Sequence, residues 1–298
     1  AVHATFISEN PVCTVPLDSH RARLDAAERS ICLLEELRLH PLAFEEAQVH
    51  PQQFRDEERC LITTCPCTDF EVHIVAPDSE MSAVGHAITL TSPLRVQEVY
   101  KNGSFFGYGV KGTPADCVKI AVQELLEEAP DVILSGINLG ANVGVNVLYS
   151  GTVSAATEGA FLGIPSAAIS LDTRTRPDFR FAARFSREII RFIRQNGLRQ
   201  RTALNVNIPA LPPEEICGVS FTVQGVARFR ERFERRIDPR GNVYYWLSGE
   251  TPLEEGNPDA DARALKEKRI TITPISYDLT CEEELARLRT LPLPALES

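Results

Sequence analysis

The chain alternates short apolar runs with amphipathic stretches, and the alternation becomes regular from residue 71 onward. Residues 71–76 (EVHIVA), 131–135 (DVILS), 166–170 and 204–208 are short β-rich runs of the kind that form buried parallel strands. Residues 87–90 and 94–100 read as further strands, and Asn102-Gly103 reads as a hairpin turn. Between these runs lie helical periods. Residues 114–128 carry Cys117, Ile120, Ala121 and Leu125 on one stripe, with Pro114 in the first turn. Residues 152–162 form a small-residue helix, and 178–196 carry Phe181, Phe185, Ile189 and Phe192 on one side. Strands alternating with helices predict an α/β fold, a Rossmann-like, mostly parallel sheet with helices on both faces.

The pattern differs at both ends. Residues 1–70 show a helix at 22–39, with Leu24, Ala27, Ile31 and Leu34 on one face, and hold five of the eight cysteines. After about residue 216, aromatic and β-branched runs (219–223, 244–246, 270–275) alternate with charged segments and read as hairpins or extended arms that pack on a partner subunit. Three regions follow: an atypical N-terminal segment 1–70, a core 71–215, and a C-terminal extension 216–298 with oligomerisation arms.

Composition narrows the function. Hydrophobic residues at 43% and charged residues at 24% are ordinary for a globular protein. No apolar run reaches the roughly 18 residues of a membrane helix, and no secretory leader is read. A net charge of −10 argues against long nucleic acids as partners, while a local site can still receive a small phosphorylated ligand. With a chain this large and no leader read, nothing suggests a secreted disulfide scaffold, so a reducing cytoplasm is expected.

Two loops at expected strand ends carry polar chemistry. The first, 76–86, offers Asp78, Ser82 and His86. Turn capping accounts for Asp78, and a structural hydrogen bond for His86. The second, 135–152, is dense in glycine and asparagine and includes Gly136, Asn138, Gly140 and Asn142 before Ser150, Gly151 and Thr152 open a helix. Glycine lets backbone N–H groups approach an anion, asparagine supplies a neutral oxygen, and a helix N-terminus favours phosphate. Tight turns and ordinary Ser/Thr capping explain the same residues without a ligand. No Gly-Lys-Ser/Thr follows, so the loop is not a P-loop.

Longer strings are more specific. APDSEMSAVGHAITLTSPLRV (76–96), GTPADCV (112–118), PDVILSGINLGANVGVNVLYSGTVSAATEGA (130–160), NVNIP (205–209), DPRGNVYYW (238–246) and ITITPISYDLT (270–280) resemble, in order, the survival-protein-E (SurE) family, over about 70% of the chain. The resemblance implies a Rossmann-like fold with an extension exchanged between subunits, hence a homodimer or homotetramer. It implies hydrolysis of nucleoside 5′- and 3′-monophosphates with a divalent cation, Mg²⁺ or Mn²⁺. It implies cation contacts at Ser82 and Asn138, and a phosphate held near Gly136, Gly140, Asn142, Ser150, Gly151 and Thr152.

Members of that family open with a strand running into Asn-Asp-Asp-Gly, and no adjacent Asp pair occurs here. Hard cations prefer carboxylate oxygen, so Ser and Asn alone hold them weakly. Residues 4–10 offer a strand ending at Glu9, the candidate carboxylate. Residues 59–64 offer another, but too few residues separate them from the strand at 71 for a parallel crossover. Cys60, Cys65 and Cys67 with His50 have zinc-type atoms in a spacing unlike a zinc knuckle. The alternative to an enzyme is a nucleotide-binding or oligomeric relative that has lost its metal-binding Asp pair.

Overall fold

The computed structural model describes residues 3–7, 71–101, 103–173, 178–226, 229–252 and 256–293. The predicted helix at 22–39, Glu9, and the cysteines at 60, 65 and 67 lie outside the described residues.

Strand β1 (His3–Ile7) runs parallel between β2 (Glu71–Pro77) and β5 (Val132–Leu139). Of the two N-terminal stretches that offered this strand, 4–10 therefore supplies it. β3 (Val96–Lys101) and β4 (Ser104–Val110) form an antiparallel pair, and β4 lies parallel to β2. β6 (Ser166–Asp172) and β7 (Thr202–Pro209) extend the parallel sheet from β5. Among the described residues the sheet has nine strands in the order β3-β4-β2-β1-β5-β6-β7-β11-β8, with β8 at Val219–Phe221 and β11 at Ile270–Ser276. β11 is antiparallel to β7, and β8 is parallel to β11. The run at 270–275, expected as an arm, is thus a buried strand of the main sheet. Its alternate residues Ile270 and Ile272 enter the core. Among the described residues, β9 (Phe229–Ile237) and β10 (Val243–Pro252) form a separate two-stranded antiparallel ribbon.

Alternation along each strand builds a core on both faces. Val132 and Leu134 of β5, with Ile169 of β6 and Val206 and Ile208 of β7, pack under helix α3 (Arg180–Asn196). Ile133 and Val75 face the other way, toward Cys117 and Val118 of α1 (Pro114–Ile120) and Ala155 of α2 (Gly151–Phe161). The stripe of α3 is rotated from the expected one. Ala182, Ala183, Ser186, Ile189, Ile190 and Ile193 are buried, while Phe181, Phe185 and Phe192 flank that core. Alanine lets the helix lie close to the sheet and leaves the wide rings at its margins. Burying Ile189, Ile190 and Ile193 contributes about 1.5–3 kcal/mol each. Helix α2 is sunk so deeply that every residue from Gly151 to Ala160 is buried. At Gly159 an added Cβ would collide with the Ser166 hydroxyl and sit 2.9 Å from Ile133 Cδ1.

Helix α1 starts in a capping box. Thr113 Oγ1 accepts from Asp116 N–H at 3.1 Å, and Asp116 Oδ2 accepts from Thr113 N–H at 2.9 Å. Asp116 also takes Thr89 N–H at 3.0 Å and its hydroxyl at 2.6 Å, and Thr113 Oγ1 donates to the Ala87 carbonyl at 2.7 Å. These bonds explain why 87–90, expected as a strand, is irregular: its backbone is bound to the cap of α1 instead of a neighbouring strand. The helix expected over 114–128 ends with a wide turn at Ala121–Leu125, where Leu126 N–H reaches Ala121 O at 3.0 Å.

Glu158 of α2 is buried and ties this region to its neighbours. Oε2 accepts from His86 Nε2 and Oε1 from Lys119 Nζ, both at 2.8 Å. Burial pushes the Glu158 carboxyl up, but the bonds from His86 and Lys119 outweigh it and hold the group below its ordinary value. A depressed folded value means that the stability Glu158 contributes is complete above the ordinary 4.5 and lost as pH falls through the lower folded value. Glu158→Gln is therefore expected to lower stability by about 1–3 kcal/mol near neutrality. The same variant should flatten the acid limb of a plot of urea midpoint against pH. Gly159→Val is expected to cost about 1–3 kcal/mol by overpacking α2 against β5 and β6, read as a lower urea midpoint at unchanged slope.

Candidate functional site

The strand order fixes where a ligand has room. From β1 the chain builds outward on one side through β2 and β4, and on the other through β5, β6 and β7. The crevice of such a sheet lies beyond the carboxyl ends of the strands at the reversal, here between β1 and β5. Loop 78–90 leaves the adjacent end of β2, and loop 140–150 leaves the end of β5.

The two loops meet. Gly85 N–H donates to the Tyr149 carbonyl at 2.9 Å. Gly85 has φ +58°, and an added Cβ would stand 3.1 Å from the Leu148 carbonyl, so contact of the backbones depends on glycine. Ser82 is exposed, and its hydroxyl donates to Glu80 Oε1 at 2.9 Å. Asp78 N–H is anchored to Val110 O at 2.9 Å. His86, bound to Glu158 and 3.3 Å from Thr157 Oγ1, serves as a structural anchor for this loop on α2.

The strand expected to stop at 135 continues to Leu139, so Gly136 and Asn138 belong to β5. Gly136 has φ +129°, and an added Cβ would strike the Ile169 carbonyl. The half-buried Asn138 donates Nδ2 to Gly140 O at 2.7 Å, which orients its amide and leaves Oδ1 as the acceptor. Gly140, at φ +105°, donates N–H to Leu171 O at 2.8 Å.

Asn142 is the most heavily bonded residue of the loop. Its N–H donates to Asn207 Oδ1 at 2.7 Å, and its carbonyl accepts from Asn205 Nδ2 at 2.7 Å and Asn207 Nδ2 at 3.1 Å. Its own Nδ2 donates to Ser170 Oγ at 2.9 Å. Asn205, Asn207 and Ser170 are fully buried and were missed as site residues. The signal was present in NVNIP, where two amides alternate with apolar residues in a buried strand.

Ser150 is the N-cap of α2, with Oγ accepting from Val153 N–H at 3.2 Å. Gly151 and Thr152 follow as the first helical residues. The loop contact at Tyr149 thus lies one residue before the N-cap of an eleven-residue helix whose N-terminus favours an anion. Ser82 and the α2 cap lie on loops that meet at Gly85 and Tyr149, and Asn138 lies near the end of β5, while Glu9 lies outside the described residues. No group of three or more His, Cys, Asp or Glu side chains suited to a metal occurs among the described residues. The Ser82 hydroxyl and the Asn138 amide oxygen are hard, as Mg²⁺ and Mn²⁺ require, but neutral, so these two fit a cation only beside a carboxylate. No helix among the described residues is long and apolar enough to cross a membrane.

Comparison with known proteins agrees with this geometry. Residues 59–231 match the family model described as survival protein SurE. The chain is 55% identical over 224 residues to the 5′-nucleotidase SurE of Syntrophus aciditrophicus, covering 75% of this chain and 84% of that protein. It is 52% identical over 220 residues to the 5′-nucleotidase SurE of Syntrophobacter fumaroxidans, covering 74% and 88%. The crystal structure of the SurE protein from Aquifex aeolicus superposes with a TM-score of 0.70 at 31% identity, covering 97% of this chain and 98% of that one. With more than half of its length matched by the family model and relatives above 50% identity, the chain belongs to the survival protein SurE family.

Proposed function

We propose that this chain is a phosphomonoesterase that hydrolyses nucleoside 5′-monophosphates, and 3′-monophosphates as well, to nucleoside and phosphate. The observation that carries the reading is the Gly85–Tyr149 contact, which closes two strand-end loops beside the N-terminus of α2. Relatives named 5′-nucleotidase SurE support it.

In the reaction, water attacks phosphorus, the P–O ester bond breaks, and the leaving oxygen takes a proton to become the nucleoside hydroxyl. The first-turn amides of α2 bind the phosphoryl oxygens, and Gly136 and Gly140, with no side chains, let the end of β5 and its loop come close to them. Ser150 holds that helix end rigid through its cap, and Asn142 holds the loop to β6 and β7. Ser82 and Asn138 would hold a divalent cation, Mg²⁺ or Mn²⁺, with Glu9, two residues beyond β1, as its carboxylate. A bound cation supplies charge neutralisation at phosphorus and a more acidic water.

The ribbon supports a homodimer, or a homotetramer built from it. Cross-strand register puts Phe233, Ile237, Val243, Tyr245 and Leu247 on one face around Arg235, and these five side chains are exposed. An isolated two-stranded ribbon is marginal in water, so this apolar face calls for a second copy. The free thiols of Cys117, Cys217 and Cys281 suit the reducing cytoplasm.

Phosphate release from AMP is expected with Mn²⁺ and is expected to stop on adding a chelator. Asn138→Ala and Ser82→Ala should each reduce kcat/KM by about 100-fold or more, and parent rates in both would remove the cation assignment. In sedimentation at micromolar concentration the parent should run as a dimer or larger. Phe233→Glu combined with Leu247→Glu should shift it to monomer, and a monomeric parent would refute the interface.

A further inference from the structure

The root of the ribbon is bonded directly to the Gly-Asn loop. Gly144 N–H donates to Asp261 Oδ2 at 3.0 Å, and Gly144 O accepts from Gln224 Nε2 at 2.9 Å. Gln224 precedes β9 in the chain, and Asp261 follows β10. The two segments are clasped to each other. Val223 N–H donates to Asp259 O at 3.0 Å, Asp261 N–H donates to Val223 O at 2.9 Å, and Asp261 Oδ1 accepts from Gly225 N–H at 2.9 Å and Ala262 N–H at 2.7 Å.

Asp261 is fully buried. A carboxylate taken out of water to bind main-chain amides incurs a desolvation cost that an apolar residue would avoid. Its oxygens instead hold amides from three places: its own helix, the segment before β9, and the loop at β5. Gly144 itself stands at φ +57°, where few other residues settle. The loop is already fixed at Gly140 to β6 and at Asn142 to β6 and β7. A third attachment from 117 positions away over-determines its geometry. Such redundancy suits a segment whose placement governs chemistry rather than packing.

We propose that Asp261 and Gln224 are positioning residues, which set the Gly140-to-Gly144 segment over the end of β5 and make the ribbon root one rigid unit with the phosphate-binding loop. The inference rests on the reading of that loop given under Proposed function. It makes the C-terminal extension part of the site's support.

Gln224 is exposed, so replacing it leaves the core intact. Gln224→Met removes the donor at nearly constant length, and Gln224→Lys keeps a donor for the Gly144 carbonyl. With the full chain, AMP and Mn²⁺, Gln224→Met is expected to lower kcat about 10-fold while KM moves less than about 2-fold. Its Tm should stay within about 2 °C of the parent. Gln224→Lys should recover kcat to within about 3-fold, and Asp261→Asn should lose more than Gln224→Met. If Gln224→Met turns over AMP at the parent rate, the positioning role is wrong and the nucleotidase reading stands. If the parent itself releases no phosphate, the nucleotidase reading falls and amide exchange decides the clasp. Faster exchange confined to residues 140–144 in Gln224→Met upholds it, and exchange equal to the parent's overturns it.

Discussion

A backbone carried into the end of a sheet has to satisfy its N–H and C=O groups away from bulk water, and in this protein that requirement falls on Asn142. Its N–H and carbonyl are taken by the side chains of Asn205 and Asn207, and its amide by Ser170. Two parallel strands therefore give up apolar positions so that a neighbouring loop can be held in one place. Without those amides the loop would keep its composition and lose its shape, and the helix cap at Ser150 would have no fixed approach.

The same solution recurs with charge. Glu158 takes His86 from one loop and Lys119 from a neighbouring helix, and Asp261 takes amides from two other segments. Each buried carboxylate collects donors that are far apart in the chain. Interactions of this kind add modestly to stability, but they are costly to leave half made, so they select one arrangement of loops among many compact ones.

Much of the fold was legible in the sequence because it rests on local patterns. β2, β5, β6 and β7 announce themselves as apolar runs, and α2 and α3 as helical periods between them. The polar residues of loop 76–86 and the Asn-rich loop were visible as chemistry without a scaffold. What local reading could not reach was decided by distant partners. Residues 87–90 have strand composition, yet the cap of α1, more than 20 residues on, captures them first. The run at 270–275 looks like any exposed β segment until β7 is found beside it. Asn205 and Asn207 interrupt a core strand for the benefit of a loop some 63 to 65 positions earlier. The family resemblance marked Ser82 and Asn138 but gave no reason for the residues that hold their loops.

The central place of β1 bears on how the chain is made. His3–Ile7 pairs with residues 71–74 on one side and 132–135 on the other. A ribosome adding about 5–20 residues per second delivers the second neighbour on the order of ten seconds after the strand itself. Until then the five-residue strand can have at most one edge covered, by residues 71–74, so its second edge waits for the other half of the parallel sheet to be made.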